Sequence, residues 1–217
     1  MLQSENELTL NNLEIFNEGK RLFCIDTLVK AGTVLTIIGR SGVGKSTLLR
    51  AISGHLSAPF QFTGNVMLNG SDLSDKPAHL RRVGVMFQDS LLFEHMTVEE
   101  NIAFAMPKGK FGSKEARNEY IAAMLENVGL QGLQKRAVSS LSGGQQARIS
   151  LLRTLSSEPN AILLDEPFSK LDSNLREQIR RWTFEQLKHQ NIPAVLVTHD
   201  SDDAVSAGGE IIELTTC

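Results

Sequence analysis

Apolar positions spaced along residues 8–16 and, after a break at Asn17-Glu18-Gly19, along residues 21–29 predict two strands joined by a turn. A third strand is predicted over residues 33–38, where Val34, Leu35, Ile37 and Ile38 form an apolar run. A glycine-rich segment follows, and then a helix from near Gly44 to near Gly54. Residues 66–68, before the Asn69-Gly70 turn, read as a short strand, and residues 83–87 read as a more buried one. Between Asp89 and Ser157 the apolar spacing becomes helical, predicting helices over 97–105, 114–128 and 142–156. Ala161-Ile162-Leu163-Leu164 and residues 194–198 are short continuous apolar runs, the pattern of parallel strands covered on both faces, with a helix over 173–190 between them. The pattern predicts an α/β chain: a parallel core, an N-terminal antiparallel β-subdomain and an inserted helical subdomain. Neither an internal repeat nor a low-complexity linker interrupts it.

Composition narrows the class. The chain has 217 residues, 41% of them hydrophobic, enough to bury a core without disulfides or metals. Lys and Arg total 22 against 25 Asp and Glu, and the net charge of -3 argues against nucleic acid as the main partner. Cys24 lies in an apolar stretch and Cys217 at the end, neither with a second Cys or a His at ligand spacing, as expected in a reducing compartment. Residues 1–7 are polar and acidic, unlike a secretory signal. No stretch approaches the ~18 consecutive apolar residues of a membrane span, so work at a membrane requires another chain to cross it.

The glycine-rich segment is Gly39-Arg40-Ser41-Gly42-Val43-Gly44-Lys45-Ser46-Thr47, placed between a strand and a helix. Its glycines allow successive N–H groups to point inward, and the helix start aims its positive dipole end at the same spot. This is a phosphate-binding loop: Lys45 is expected on the β- and γ-phosphates of a nucleoside triphosphate and the Ser46 hydroxyl on Mg²⁺. Asp165 and Glu166 end the run Ile162-Leu163-Leu164, where open α/β sheets place ligands. Neighbouring strand residues face opposite ways, so the two carboxylates have different work. Asp165 suits the Mg²⁺ shell, directly or through water, and Glu166 suits the general base acting on the attacking water.

Leu141-Ser142-Gly143-Gly144-Gln145 matches the signature of the ATP-binding cassette (ABC) ATPases. Ser142 and Gln145 also have the spacing of a capping box, but capping alone does not ask for the two glycines between them. The resemblance covers about Leu8 to Leu214, and it implies one ABC ATPase domain, 1–217. That domain comprises the β-subdomain and a RecA-like phosphate-loop NTPase core over 1–88 and 159–217, with the helical subdomain and its signature over 89–158. Gln88 resembles the glutamine that touches Mg²⁺ and the attacking water while sensing a transmembrane partner. Ser169-Lys170-Leu171-Asp172 resembles the loop lining the dimer interface, although Lys170 stands where the family has a small residue. His199 resembles the switch histidine that contacts the γ-phosphate. Phe16, 23 residues before Gly39, resembles the aromatic ring that stacks on adenine, with Phe23 as its competitor.

The resemblance further implies a second copy of the chain, closing head to tail around two ATP molecules, so that each site pairs one copy's phosphate loop with the other's 142–145 segment. The segment 89–102 is similar to that of bacterial importers, where the surface beside Gln88 receives a helix from an integral membrane permease; Leu91, Leu92, Phe93 and Met96 are candidates for it. A separate solute-binding protein, and a position on the cytoplasmic face of the inner membrane, follow from the same resemblance. The chain stops 18 residues after His199, so the C-terminal regulatory domain of many sugar importers is not expected. An exporter, a lipoprotein-release or division complex, a soluble ABC protein and a non-hydrolysing scaffold are the alternatives. Lys45, Asp165, Glu166 and His199 together argue against the last.

Overall fold

The computed structural model describes residues 6–215; the polar start at residues 1–5 and Cys217 lie outside them. β1 (Glu7–Asn17) and β2 (Lys20–Lys30) form an antiparallel hairpin. Glu18 and Gly19 turn it with positive φ, as a tight two-residue connection requires. β3 (Val34–Gly39) leads into the loop and α1 (Lys45–Ser53). β4 (Phe60–Leu68) pairs with the other edge of β1, and β5 (Ser71–Asp72) completes a four-stranded sheet in the order β2-β1-β4-β5. β4 begins well before the expected residue 66. Its first half alternates the half-buried Phe60 and Phe62 with the exposed Gln61 and Thr63, too weak an apolar signal to read as a strand unaided.

A second sheet is built from β6 (Val83–Met86), β7 (Ala161–Asp165), β8 (Ala194–Val197), β3 and β9 (Ile211–Leu214), in the order β6-β7-β8-β3-β9. β7, β8, β3 and β9 run parallel. β7 and β8 are buried at every position, which is why they read as unbroken apolar runs. β9 and the short helix that precedes it, α6 (Ser201–Ala207), were not expected from the sequence. Leu48, Leu49, Ala51 and Ile52 of α1 pack into one core with Leu8, Leu10 and Ile15 of β1, and with Leu35, Leu163 and Val195 of the parallel strands.

The chain divides into two compact units. One holds the described residues up to Val85, with 160–166 and those from Phe184 onward; the other holds 86–159 and 167–183. In the second, α2 (Val98–Ala105), α3 (Lys114–Asn127) and α4 (Gly143–Ser156) enclose Ile102, Ile121, Leu125, Ile149 and Leu152. α5 (Ser173–His189) begins in the second unit and ends in the first. Asn101 fixes the approach to α2, accepting from the Phe93 N–H and donating to the Phe93 and Thr97 carbonyls.

In the first unit the buried Arg81 closes the end of α1. Its guanidinium donates to the carbonyls of Ala51 (3.0 Å) and Ile52 (2.8 Å) in the last turn, and to those of Ser74 (2.9 Å) and Lys76 (2.7 Å). The Ala51 carbonyl also accepts from the Gly54 N–H (3.3 Å), while those of Ile52, Ser74 and Lys76 depend on the guanidinium. Arg81→Met is therefore expected to destabilise the chain by about 2–4 kcal/mol through carbonyls left without a donor. A urea titration measures this as a lower midpoint. An unchanged midpoint would mean that water replaces the guanidinium at no cost.

Candidate functional site

The site is set by strand register. Asp165 on β7 and Ile37 on β3 both lie opposite Val197 of β8, so the three parallel strands end at one level. Just past that level the chain continues as Glu166, as Thr198-His199, and as the loop that opens at Gly39. The Glu166 N–H donates to the Val197 carbonyl (2.9 Å) and the Thr198 N–H to that of Ile37 (3.3 Å), which extends the pairing to the rim. Glu166 has φ 48, a left-handed conformation unusual for a residue with a side chain, at the point where β7 leaves the sheet.

The loop is anchored at Val43, which belongs to the core, while Arg40, Ser41 and Gly42 are exposed. Gly44 has φ 108, and a Cβ placed on it would lie 2.8 Å from the ring of Phe23. Only glycine satisfies both the conformation and the space. Phe23 is 3% exposed, its ring spent on the core beneath the loop, whereas Phe16 on β1 is half-buried with a face accessible. Lys45, 8% exposed, turns its ammonium back onto the carbonyls of Gly39 (2.7 Å) and Arg40 (3.0 Å), at the mouth of the loop. No side chain caps α1 at Gly44 and its first turn carries no acid, so the helix start presents bare N–H groups. An anion fits that place.

Asp165 is 7% exposed and lies beside the Ser46 hydroxyl. Burial raises its pKa above the ordinary 3.8; the Ser46 hydroxyl works to lower it, the Glu166 carboxylate adds to the rise, and Lys45 and Arg50 oppose it. A buried carboxylate beside a hydroxyl is a hard oxygen pair and fits Mg²⁺. Among the described residues no group of three or more His, Cys, Asp or Glu could hold a metal alone. Ser46 and Asp165 would hold a divalent ion there, which would supply positive charge against the nucleotide phosphates. Across the rim, His199 Nδ1 lies 3.1 Å from Glu166 Oε1. His199 is held by its neighbours: Thr198 donates to the buried Asp203 (2.8 Å) and accepts from the Asp200 N–H (3.0 Å), while Asp200 caps α6.

Gln88, Ser142 to Gln145 and Asp172 belong to the second unit. Ser142 caps α4 in a full capping box with Gln145: its hydroxyl accepts from the Gln145 N–H (3.3 Å), and the Gln145 side chain accepts from the Ser142 N–H (3.0 Å). Ser142 and Gly143 are exposed, and a Cβ at Gly144 would lie 2.8 Å from the Lys170 carbonyl oxygen. Lys170 donates to the Gln88 carbonyl (2.8 Å) and lies 3.3 Å from Asp89. Leu91 is 60% exposed, Leu92 packs against the helical core, and Phe93 meets Phe104, itself 64% exposed, edge to face at 4.8 Å. The sequence reading had no place for Phe23 as a support of Gly44, for the Thr198–Asp203 bond or for Phe104. Asp200 followed by Asp202 and Asp203 was a readable helix start; the other two depend on tertiary neighbours.

A phosphate loop at a helix start, with an acidic strand end beside it in a parallel sheet, defines a phosphate-loop nucleoside triphosphatase. The model of the ABC transporter family matches residues 23–169, and the chain belongs to that family as an ATP-binding subunit. It is 40% identical to the ABC transporter ATP-binding protein YnjD of Escherichia coli (strain K12), over 91% of this chain and 89% of that protein. It is also 40% identical to the sulfate/thiosulfate import ATP-binding protein CysA of Pseudomonas putida, over 91% of this chain but only 60% of that longer relative. Among solved structures, a dimeric post-hydrolysis state of the ATP-binding cassette MJ0796 bound to ADP and Pi superposes with a TM-score of 0.81 at 28% identity, over 96% of this chain and 94% of that one. The chain is an ATPase, with ATP as its nucleotide and Mg²⁺ as its metal.

The raised pKa of Asp165 has a measurable sign. Folding favours its protonated form; that contribution is fully present below 3.8 and lost as pH rises through the raised value. At pH 7 the buried charge therefore lowers stability. Asp165→Asn is expected to melt above the unaltered protein at pH 7 in a chelator without nucleotide, with the gap narrowing toward pH 4. A variant melting at or below the unaltered protein would show that Ser46 and Lys45 outweigh burial.

Proposed function

We propose that this chain is the ATP-hydrolysing subunit of a bacterial small-solute importer, working as a head-to-tail dimer on the cytoplasmic face of the inner membrane. The observation that carries the reading is the division of chemistry between the two units. The phosphate loop, Asp165, Glu166 and His199 lie in one, and the exposed start of α4 at Ser142 and Gly143 lies in the other. In a dimer each triphosphate is bound by the Gly39–Thr47 loop of one copy and met by Ser142, Gly143, Gly144 and Gln145 of the second. Lys45 and the loop N–H groups hold the phosphates, and Phe16 stacks on the base. Glu166 takes the proton of the attacking water, and His199 and Gln88 orient the attack; Asp172 lines the contact between copies. ATP then has greater affinity for the closed dimer than for the open one, and hydrolysis releases the difference as motion. The dimeric post-hydrolysis structure of the MJ0796 cassette supports the assembly.

Import is supported by the relatives named for sulfate and thiosulfate import, although this chain spans only 53–60% of their length. Among the described residues no helix is long and apolar enough to cross a membrane, so the crossing falls to a permease. Leu91, Phe93, Phe104 and Met96 offer that permease an apolar face beside Gln88, and a separate solute-binding protein delivers the cargo. The solute itself is selected by those other chains.

Glu166→Gln is expected to bind ATP, to lose turnover by about a hundredfold or more, and to accumulate as a dimer in light scattering, since an amide cannot accept the proton. Adding Ser142→Arg to that variant is expected to return it to monomer with nucleotide binding kept. Residual turnover near the starting level would remove Glu166 from the role of base, and a dimer indifferent to Ser142→Arg would remove the shared site. The permease is tested by recovering the tagged chain from detergent-solubilised membranes. A multi-span protein retained with it supports transport, and soluble partners alone would move the ATPase to another task.

A further inference from the structure

Lys170 touches the chain at two functional places at once. Its ammonium donates to the backbone carbonyl of Gln88 at 2.8 Å and lies 3.3 Å from the Asp89 carboxylate, reaching across 82 and 81 residues of sequence. Its own carbonyl oxygen occupies the space that a side chain at Gly144 would need. One residue therefore fastens the segment after β6 to the 169–172 loop, and its backbone passes close to the start of α4. Among the described residues the Gln88 side chain makes no hydrogen bond, and it is exposed. The lysine's hold on the Gln88 carbonyl restrains the backbone that presents that side chain, and Arg153 holds the carbonyls of Ser90 (3.2 Å) and Leu91 (2.9 Å) just beyond it. The ion pair with Asp89 adds little, since Asp89 is largely exposed. The bond to the carbonyl is charge-assisted and stronger.

We infer that Lys170 is a positioning residue for ATP hydrolysis, holding the backbone at Gln88 in register with the 169–172 loop of the same copy. The inference rests on the role given to Gln88 above. Without the lysine, Gln88 has to be ordered during the chemical step, which slows turnover and leaves the phosphate loop's grip on ATP untouched. A merely stabilising surface pair would instead change the melting temperature and spare turnover.

Steady-state kinetics of the full chain with MgATP, read as kcat and KM separately, distinguish these. Lys170→Met, equal in reach but without a donor, is expected to lower kcat about three- to tenfold, the range one exposed charge-assisted bond controls, with KM within about twofold and the melting temperature unchanged. Lys170→Arg, which keeps a donor for the carbonyl, is expected to restore most of kcat. In a Gln88→Ala background, Lys170→Met is expected to have no further effect, because the side chain it positions is gone. An equal loss in both backgrounds, no loss in either, or a loss matched by a fall in melting temperature that Arg does not rescue would each overturn the inference. If Gln88→Ala slows turnover and Lys170→Met does not, the inference fails while the reading of Gln88 stands. If Gln88→Ala leaves kcat unchanged, that reading fails first and takes the inference with it.

Discussion

The level at which β7, β8 and β3 end together governs what the first unit can do. Each strand is buried on both faces, and apart from Thr36 within β3 its polar side chains come where the strands stop. Because Asp165 and Ile37 share Val197 as partner, the three exits emerge side by side. A shift of one residue in the pairing of β7 with β8 would turn Asp165 and Glu166 to each other's faces. The separation of the buried Asp165 carboxylate from that of Glu166 depends on that pairing, as does the meeting of Glu166 with His199. The catalytic arrangement is a property of sheet register before it is a property of side chains.

The same geometry explains why the site stores unfavourable electrostatics. Asp165 is buried where its charge is disfavoured, Glu166 lies beside it in a left-handed conformation, and Lys45 turns its ammonium on backbone carbonyls. In the proposed reading, Asp165 and Lys45 are better matched by a magnesium triphosphate than by the protein alone. Binding energy from the ligand offsets what the fold gives up, which is the usual relation between a preorganised site and its stability.

How much of this was legible in the sequence follows from how local each signal is. Gly39 to Thr47 and the runs ending in Asp165 and Val197 were readable because their chemistry lies in consecutive residues, where composition alone dictates a turn or a doubly covered strand. The capping box of Ser142 with Gln145 was readable for the same reason. The first half of β4 was not, because its identity as a strand comes from pairing with β1 and not from its own Gln61, Thr63 and Gly64. Lys170 stood out only as an unexpected residue. Its grip on Gln88 joins positions 82 residues apart and requires the fold. Phe16 and Phe23 are equivalent in pattern and were separated only by burial, since β1 and β2 place one outward and the other beneath Gly44.

Phe23 carries a consequence of its own. Its ring serves as filler for the core and as the floor on which Gly44 rests, so one residue sets both an internal volume and the shape of an external cradle. A smaller side chain there would open a void and also let the cradle sag. Position 23 thus answers to two masters: drift tolerated by folding can still distort the loop that rests on it.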